Sequence, residues 1–308
     1  MKYHFLCNAV GVSAAFLLLA TASARADLFV IAASEPAGHG EVFRLEEHSG
    51  SVLNRWTTGT EAIHGIAVSI LGDVYVAADT LGAGEIIRFS PAGEQLGGFG
   101  DSNLTMPAAM TLGPDGNFYV LSAMPASDGF RGQVLRFSSN GKQAGVFVAA
   151  QNGTGRQFVD LAFRGEDHLL VVDFEKGILR FDARSGQFLG VFIPTGDELV
   201  TPSGIAVGPD GNLYVSSREA NVVLRFDGST GQYMDTFVSP GTRALNGPMG
   251  LTFGNDGNLY VASCYDHHVV RFNGKTGDFA GMLGGNDLHF PTRITSGAVP
   301  FLMARPLK

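Results

Sequence analysis

The sequence predicts an all-β fold, a six-bladed β-propeller of four-stranded antiparallel blades, closed by N- and C-terminal strands that share one blade. Three observations predict it. An apolar pair or near-pair, an arginine, a Phe or Leu and a Gly-containing turn recur six times, at Arg44, Arg88, Arg136, Arg180, Arg225 and Arg271, with spacings of 44, 48, 44, 45 and 46 residues. Each arginine sits in the third of four short β-rich runs joined by polar turns. A period of about 45 residues with four strands per unit marks a propeller, whereas helical solenoids need a 3.6-residue periodicity that the chain lacks.

The unit is cleanest in "TPSGIAVGPDGNLYVSSREANVVLRFDGSTGQYMDTFV", residues 201–238. "GIAVG", "NLYVSS", "VVLRF" and "YMDTFV" have strand length and β-rich composition, and the Asp-Gly pair of "PDGN" favours the positive φ of a tight hairpin. The unit returns as "MPAAMTLGPDGNFYVLS" with "QVLRF", as "GPMGLTFGNDGNLYVAS" with "HVVRF", and more loosely as "AIHGIAVSILGDVYVAAD" with "EIIRF". A degenerate copy reads "QFVDLAFRGEDHLLVVD" with "GILRF". These make five blades, expected over residues 62–100, 106–149, 157–193, 201–239 and 247–285. The remaining blade is split: "DLFVIAAS", "GEVFRL" and "SVLNRW" supply its second to fourth strands, and "FPTRITSG" supplies the first, so that it spans 27–56 plus 290–308. Such closure hides sheet edges that invite aggregation. A second strand from "PFLMA" and a partial seventh blade form the alternative.

Residues 1–26 read as a cleaved signal peptide: Lys2, an apolar segment around "AAFLLLA", and an Ala24-Arg25-Ala26 cleavage site. The apolar run falls short of the ~20 residues that cross a bilayer, so no membrane span is expected after cleavage and a periplasmic or secreted location is. Removing Lys2 and Arg25 moves the formal charge from -8 to about -10. That balance argues against a nucleic-acid partner, which demands a basic footprint. The mature chain keeps Cys264 alone, so it has no internal disulfide. No serine stands in a nucleophile elbow and no Gly-rich run precedes a helix, which removes serine hydrolases and nucleotide binding.

The phrase "P-x-G-I-A-V-x-P-D-G-N-L-Y-V" followed by "V-x-R-F" resembles the NHL-repeat propellers and, more broadly, the superfamily of gluconolactonase-like lactonases and streptogramin B lyases. The resemblance covers nearly all of the mature chain, and the shared residues are those of turns and strands. For the lactonases it implies a divalent cation on the axis, held by an early Glu and by Asn and Asp at the x of successive "P-x-G" phrases. Here those x positions are Ser203 and Met249, a poor ligand and no ligand for a hard cation, and the stand-in for the Glu is Glu35. For the lyases it implies axial histidines, which His64 in "IHGIAV" matches once.

In a propeller the first strands line the channel, so side chains can be read as rings. At the Gly of "P-x-G-I" the ring is Gly65, Ala109, Asp160, Gly204, Gly250 and Arg293; one residue earlier it is His64, Ala108, Val159, Ser203, Met249 and Thr292. Asp160 and Arg293 belong to opposite blades and are expected to face each other across the axis. The ends of second strands add Asp79, Asp173, Arg218 and the Cys264–His268 stretch to a polar rim. Adjacent histidines in extended chain point to opposite faces, so a zinc site at Asp266, His267 and Cys264 needs a further ligand from another blade. The candidate ligand-binding residues are therefore His64, Asp79, Asp160, Asp173, Arg218, His267 and Arg293. They point to a monomeric binding protein that takes a small molecule, peptide or protein at the channel mouth without a cofactor. The alternative is a lyase or lactonase using a divalent cation such as Ca or Mg. The six repeated arginines are expected to be structural, with heads on carbonyl or carboxylate oxygens.

Overall fold

The computed structural model describes residues 27–297, apart from 34–38, 61, 81–82, 101–103, 127–128, 151–156 and 243–244. The leader at 1–26, Glu35 and "PFLMA" lie outside the described residues. Six four-stranded antiparallel sheets follow one another around a ring. The first blade holds β1 (Asp27–Ala33), β2 (Gly40–Glu46) and β3 (Val52–Thr57). The second holds β4 (Ala62–Val68), β5 (Val74–Thr80), β6 (Ala83–Phe89) and β7 (Gln95–Phe99), and the third β8 (Pro107–Leu112), β9 (Phe118–Ala126), β10 (Gly129–Phe137) and β11 (Gln143–Val148). The fourth comprises β12 (Phe158–Arg164), β13 (His168–Asp173), β14 (Gly177–Asp182) and β15 (Phe188–Pro194). The fifth comprises β16 (Pro202–Val207), β17 (Leu213–Ser217), β18 (Val222–Phe226) and β19 (Tyr233–Val238). The sixth comprises β20 (Pro248–Phe253), β21 (Leu259–Ser263), β22 (His268–Phe272) and β23 (Phe279–Leu283). The last strand, β24 (Arg293–Ser296), returns to the first blade.

That return closes the ring. β24 pairs antiparallel with β1, Leu28 opposite Ser296 and Ile31 opposite Arg293. Backbone bonds from Thr292 N to Ile31 O (3.0 Å) and from Gly297 N to Asp27 O (2.8 Å) extend the seam. β1 and β24 are thus held together by a ladder; Cys264 is free and buried.

The core is divided among the blade interfaces. Six apolar clusters form, one between each pair of neighbouring blades, and the cluster of Leu28, Val30, Tyr260, Val269 and Ile294 joins the sixth blade to the split one. The residue after the Gly position of each first strand, Ile66, Met110, Leu161, Ile205, Leu251 or Ile294, enters a different cluster. Alternation along these strands sends successive side chains to the two neighbouring interfaces, Ile66 and Ala67 or Ile205 and Ala206 entering different clusters.

The "D-G-N-x-Y" phrase has a physical reason that recurs in three blades. In the fifth blade Asp210 accepts bonds from Asn212 N (3.1 Å), Asn212 Nδ2 (2.8 Å) and Tyr214 Oη (3.0 Å). Asp115 with Asn117 and Tyr119, and Asp256 with Asn258 and Tyr260, repeat the clasp. The hairpin glycine must stay bare beneath it, since a Cβ on Gly208 would lie 2.5 Å from the Tyr214 ring. Tyr214→Phe is expected to cost about 1 kcal/mol, because the buried ring stays and one hydrogen bond goes; urea unfolding checks this, and a loss near zero would make the clasp ornamental.

The repeated arginines behave in two ways. Arg44 bonds Asp27 (2.7 Å) and the Pro91 carbonyl (3.0 Å), Arg88 bonds Asp73 (3.0 Å), Arg225 bonds Asp235 (3.1 Å), and Arg271 bonds the carbonyls of His48 (2.9 Å) and Ala280 (3.0 Å). Arg136 and Arg180 instead lie over the rings of Phe147 and Phe192, at 5.8 and 4.7 Å from the centroids. Arg136 also reaches the Tyr119 hydroxyl, so among the described residues it is for Arg180 that an aromatic face takes the place of the expected oxygen acceptor.

Candidate functional site

The six first strands converge at the glycine ring. There the ladders between first and second strands skip a residue, at His64, Val159 and Ser203 among others, and the strand bends at each bulge. Approach is so close that an added Cβ would lie 2.8 Å from Met110 N at Gly65, 2.4 Å from Met249 O at Gly204 and 2.9 Å from Arg293 Cα at Gly250. Gly250 N even bonds Thr292 O of the next blade at 3.0 Å. Glycine at these positions is what lets the channel narrow to a neck.

Arg293 and Asp160 fill that neck. The Arg293 guanidinium donates to the carbonyls of Thr292 (3.3 Å), Ala108 (3.5 Å) and Val159, reaching the third and fourth blades across the axis. Asp160 accepts from Leu161 N (3.0 Å) and from Ile205 N of the next blade (3.0 Å). Burial pushes the Asp160 carboxyl above its ordinary pKa, against the opposing pull of Arg293 and the two N–H groups. The two charges compensate one another across the axis, each anchored to backbone.

On one side of this floor lies a cavity of about 700 Å³. It runs from Asp160, Gly250 and Arg293 to the hairpins that join first and second strands in the fourth to sixth blades. Its lining mixes polar and apolar surface, with Ile66, Val68, Ile205 and Val207 on two opposed blades. Polar groups concentrate elsewhere: Arg164 and His168 on the fourth blade, Thr295 and Ser296 on the split blade, Thr111 and Thr252 between them.

Of the seven residues singled out from the sequence, Asp160 and Arg293 line the cavity. The other five stand on the opposite side of the neck. His64 is half-buried there, its pKa held down by burial first, with Asp79 pulling it up and Arg293 down. Asp173 is fully buried, one carboxylate oxygen accepting from the N–H groups of Glu175 (3.0 Å) and Lys176 (2.8 Å), and burial raises its pKa. Arg218 bonds and stacks on Tyr265 (Nε to Oη 3.1 Å) across two blades. His267, at a φ of 60°, accepts from Phe290 N at 3.0 Å and packs on the Phe290 ring, a link into the closing segment. Burial pushes the Cys264 thiol up, as for an inert buried cysteine. Arg164 and His168 escaped the sequence reading; the signal for them was the "RGEDH" that stands where other blades have "GPDGN".

A divalent metal, as the resemblance implies, does not fit the residues present. The ring before the glycines offers one imidazole, two hydroxyls and a thioether, and no three His, Cys, Asp or Glu side chains gather as a metal-holding group among the described residues.

The architecture is a six-bladed β-propeller whose N- and C-terminal strands share one blade. Solved structures of that shape align with it. A chain of the nidogen/laminin complex matches at a TM-score of 0.65 and 16% identity, over 89% of this chain and 98% of that one. The periplasmic gluconolactonase PpgL of Pseudomonas aeruginosa matches at 0.62 and 17%, over 89% and 99%. The virginiamycin B lyase of Staphylococcus aureus matches at 0.54 and 17%, over 75% and 73%. No family model matches the sequence, and no curated protein does. At such identities the likeness is one of fold. No helix among the described residues is long and apolar enough to cross a membrane.

Proposed function

We propose that this chain is an exported propeller that binds a small organic ligand in its central channel, without a catalytic step. The observation that carries the reading is the cavity of about 700 Å³ floored by Asp160 and Arg293. Its size and its lining, in which apolar side chains alternate with polar groups, suit a small polar organic ligand. The two residues that break the glycine ring are the ones at its floor, where a donor and an acceptor sit together. The reading moves the site from the loop face expected from the sequence to the hairpin face. The rival, a metal-dependent lyase or lactonase, lacks a fitting donor set among the described residues.

Native mass spectrometry of protein recovered from an exported fraction tests it. A co-purifying small molecule is expected, and Thr111→Trp, which fills the channel from the third blade, is expected to abolish its retention while the protein stays folded. Ligand-free protein, or retention that ignores the tryptophan, would sink the reading; a stoichiometric divalent metal lost in His64→Ala would replace it with the enzyme.

A further inference from the structure

The fourth blade departs from the repeat at one spot, in a concerted way. Aligned on the fifth blade, "FRGEDHLL" replaces "VGPDGNLY", so that Arg164 stands for Gly208, His168 for Asn212 and Leu170 for Tyr214. In the intact hairpins the tyrosine ring lies over the glycine and excludes any side chain: a Cβ would come 2.4 Å from the Tyr119 ring at Gly113 and 2.7 Å from the Tyr260 ring at Gly254. Leucine in place of tyrosine removes both the ring and its hydroxyl. Leu170 leaves Arg164 space that a tyrosine ring would take; the second blade, which keeps Tyr75, has only the small Ser69 at that place.

The register then brings the cations together. Arg164 pairs with His168, His168 with Asp182, and Leu170 with Arg180, so all these side chains project from the sheet face turned towards the fifth blade. Leu170 belongs to the apolar cluster at that interface. The other tyrosine-bearing blades place Tyr75, Tyr119, Tyr214 or Tyr260 opposite the repeated arginine. Here Arg180 faces leucine, with Phe192 under one side of its guanidinium at 4.7 Å. Arg164 lies against the fifth blade, where a Cβ on Gly228 would be 3.0 Å from its Nε. Both arginines are half-buried, and both Nε atoms are buried without a hydrogen-bond partner.

The neighbouring carboxylates are engaged elsewhere. Asp182 accepts from Ser185 Oγ (2.7 Å) and from the N–H groups of Arg184 (3.1 Å) and Ser185 (2.7 Å) in its own turn. Asp167 pairs with Arg184 at 3.9 Å. Among the described residues neither Arg164 nor Arg180 bonds a carboxylate. Burial, then the charges of Arg180 and Arg164, holds the His168 imidazole below its ordinary pKa, against the opposing pull of Asp167 and Asp182. Two like charges share a half-buried slot in an acidic protein, an arrangement that an anion bridging them would relieve.

We propose that Arg164, His168 and Arg180 form an oxyanion-binding slot between the fourth and fifth blades at the rim of the cavity. It takes a phosphate or carboxylate group through the edge N–H groups of the two guanidiniums. That this oxyanion belongs to the cavity ligand, making that ligand an organic anion, rests on the reading given above; the slot itself stands on the exchange of Gly and Tyr for Arg and Leu.

Inorganic phosphate and acetate, titrated by calorimetry against chloride at constant ionic strength, are the probes. Saturable binding of at least one is expected, weakened about tenfold or more in Arg180→Gln, since one charge-assisted hydrogen bond is lost. The double variant Arg164→Gly with Leu170→Tyr returns the glycine and tyrosine of the other hairpins, while Glu166 and His168 still stand where the clasp has Asp and Asn, and is expected to lose the site. No anion binding beyond the chloride control in the native protein, or undiminished binding in the restored variant, overturns the slot. Thr111→Trp is expected to leave phosphate binding unchanged, so loss of the co-purifying ligand alone reports on the cavity and loss of phosphate binding alone reports on the slot.

Discussion

Replacing Arg293 by methionine is expected to cost about 2 to 4 kcal/mol of unfolding free energy, the loss that follows when one partner of a buried charge pair is removed. Three carbonyls, from Thr292, Ala108 and Val159, lose their donor at once. Asp160, already pushed up by burial, also loses the one charge that opposes the shift. The two backbone N–H groups that still reach Asp160 keep the cost below the upper end of such pairs. A sign follows for pH. A carboxyl whose native pKa lies above its unfolded value loses stability as pH rises between the two, so the variant is expected to weaken further from acid to neutral pH. Adding Asp160→Asn is expected to recover part of the loss, because the amide carries no charge to bury. Equilibrium urea unfolding at two pH values measures all three; a loss of a few tenths of a kcal/mol, unchanged by pH, would mean the neck needs no charge balance.

Glu47→Gln is expected to stabilise the protein above neutral pH and to do little in mild acid. Glu47 is fully buried at the seam between the split and sixth blades. One of its carboxylate oxygens accepts from Asp256 N at 3.3 Å and the other, Oε2, has no partner. Tyr260 Oη lies 3.0 Å from the Glu47 carbonyl and 2.8 Å from Asp256 Oδ2. Burial, and beyond it the Asp256 charge, raises the Glu47 carboxyl from 4.5 to about 7. For Asp256 burial also pushes upward, but bonds from Asn258, Tyr260 and Glu47 outweigh it and hold the pKa below its ordinary value. The two carboxyls are best satisfied with one proton between them, carried by Glu47 and donated to Asp256.

The native state therefore binds that proton more tightly than the unfolded chain, and stability is lost as pH climbs from 4.5 to about 7. Asp256 acts oppositely, its contribution being lost as pH falls through its lowered pKa. Glutamine supplies a permanent N–H donor with no charge. The gain near pH 8 is expected to be about 1 to 2 kcal/mol, less than the full Glu47 shift converts to because the pair shares its proton. Thermal or urea unfolding across that range checks it, and a gain independent of pH would assign the effect to packing.

How much of this was legible beforehand depends on how far apart the partners lie in the chain. Blade number, strand order and the split blade follow from six arginine-centred repeats and two incomplete ends, because a sheet's side-chain period and a tight turn's residues are local properties. Asp160 and Arg293 could be placed opposite one another because the repeat supplies a register, and register converts sequence position into height along the axis. The register says nothing about which side of the neck is hollow. Five of the candidates, His64 and Asp79 among them, lie at the opposite ends of the strands, away from this cavity, where pairings such as Arg218 on Tyr265 link neighbouring blades.

The arginine expectation divides for a similar reason. An acceptor for Arg225 is ten residues away in its own blade, whereas Arg180 rests on Phe192 and faces a leucine where most of the other blades have tyrosine. Glu47 and Asp256 are 209 residues apart and meet only because the last strand returns to the first blade.

The sequence by itself determined the six-fold plan, its closure and the residues that violate it, since periodicity, turn chemistry and apolar alternation act within a few residues. Only the tertiary structure decided what those violations do. Whether a glycine becomes a neck, a missing tyrosine becomes a cationic slot, or a glutamate shares a proton depends on which neighbouring blade is brought within a few ångströms of it. That distance is set by the packing of six sheets around one axis.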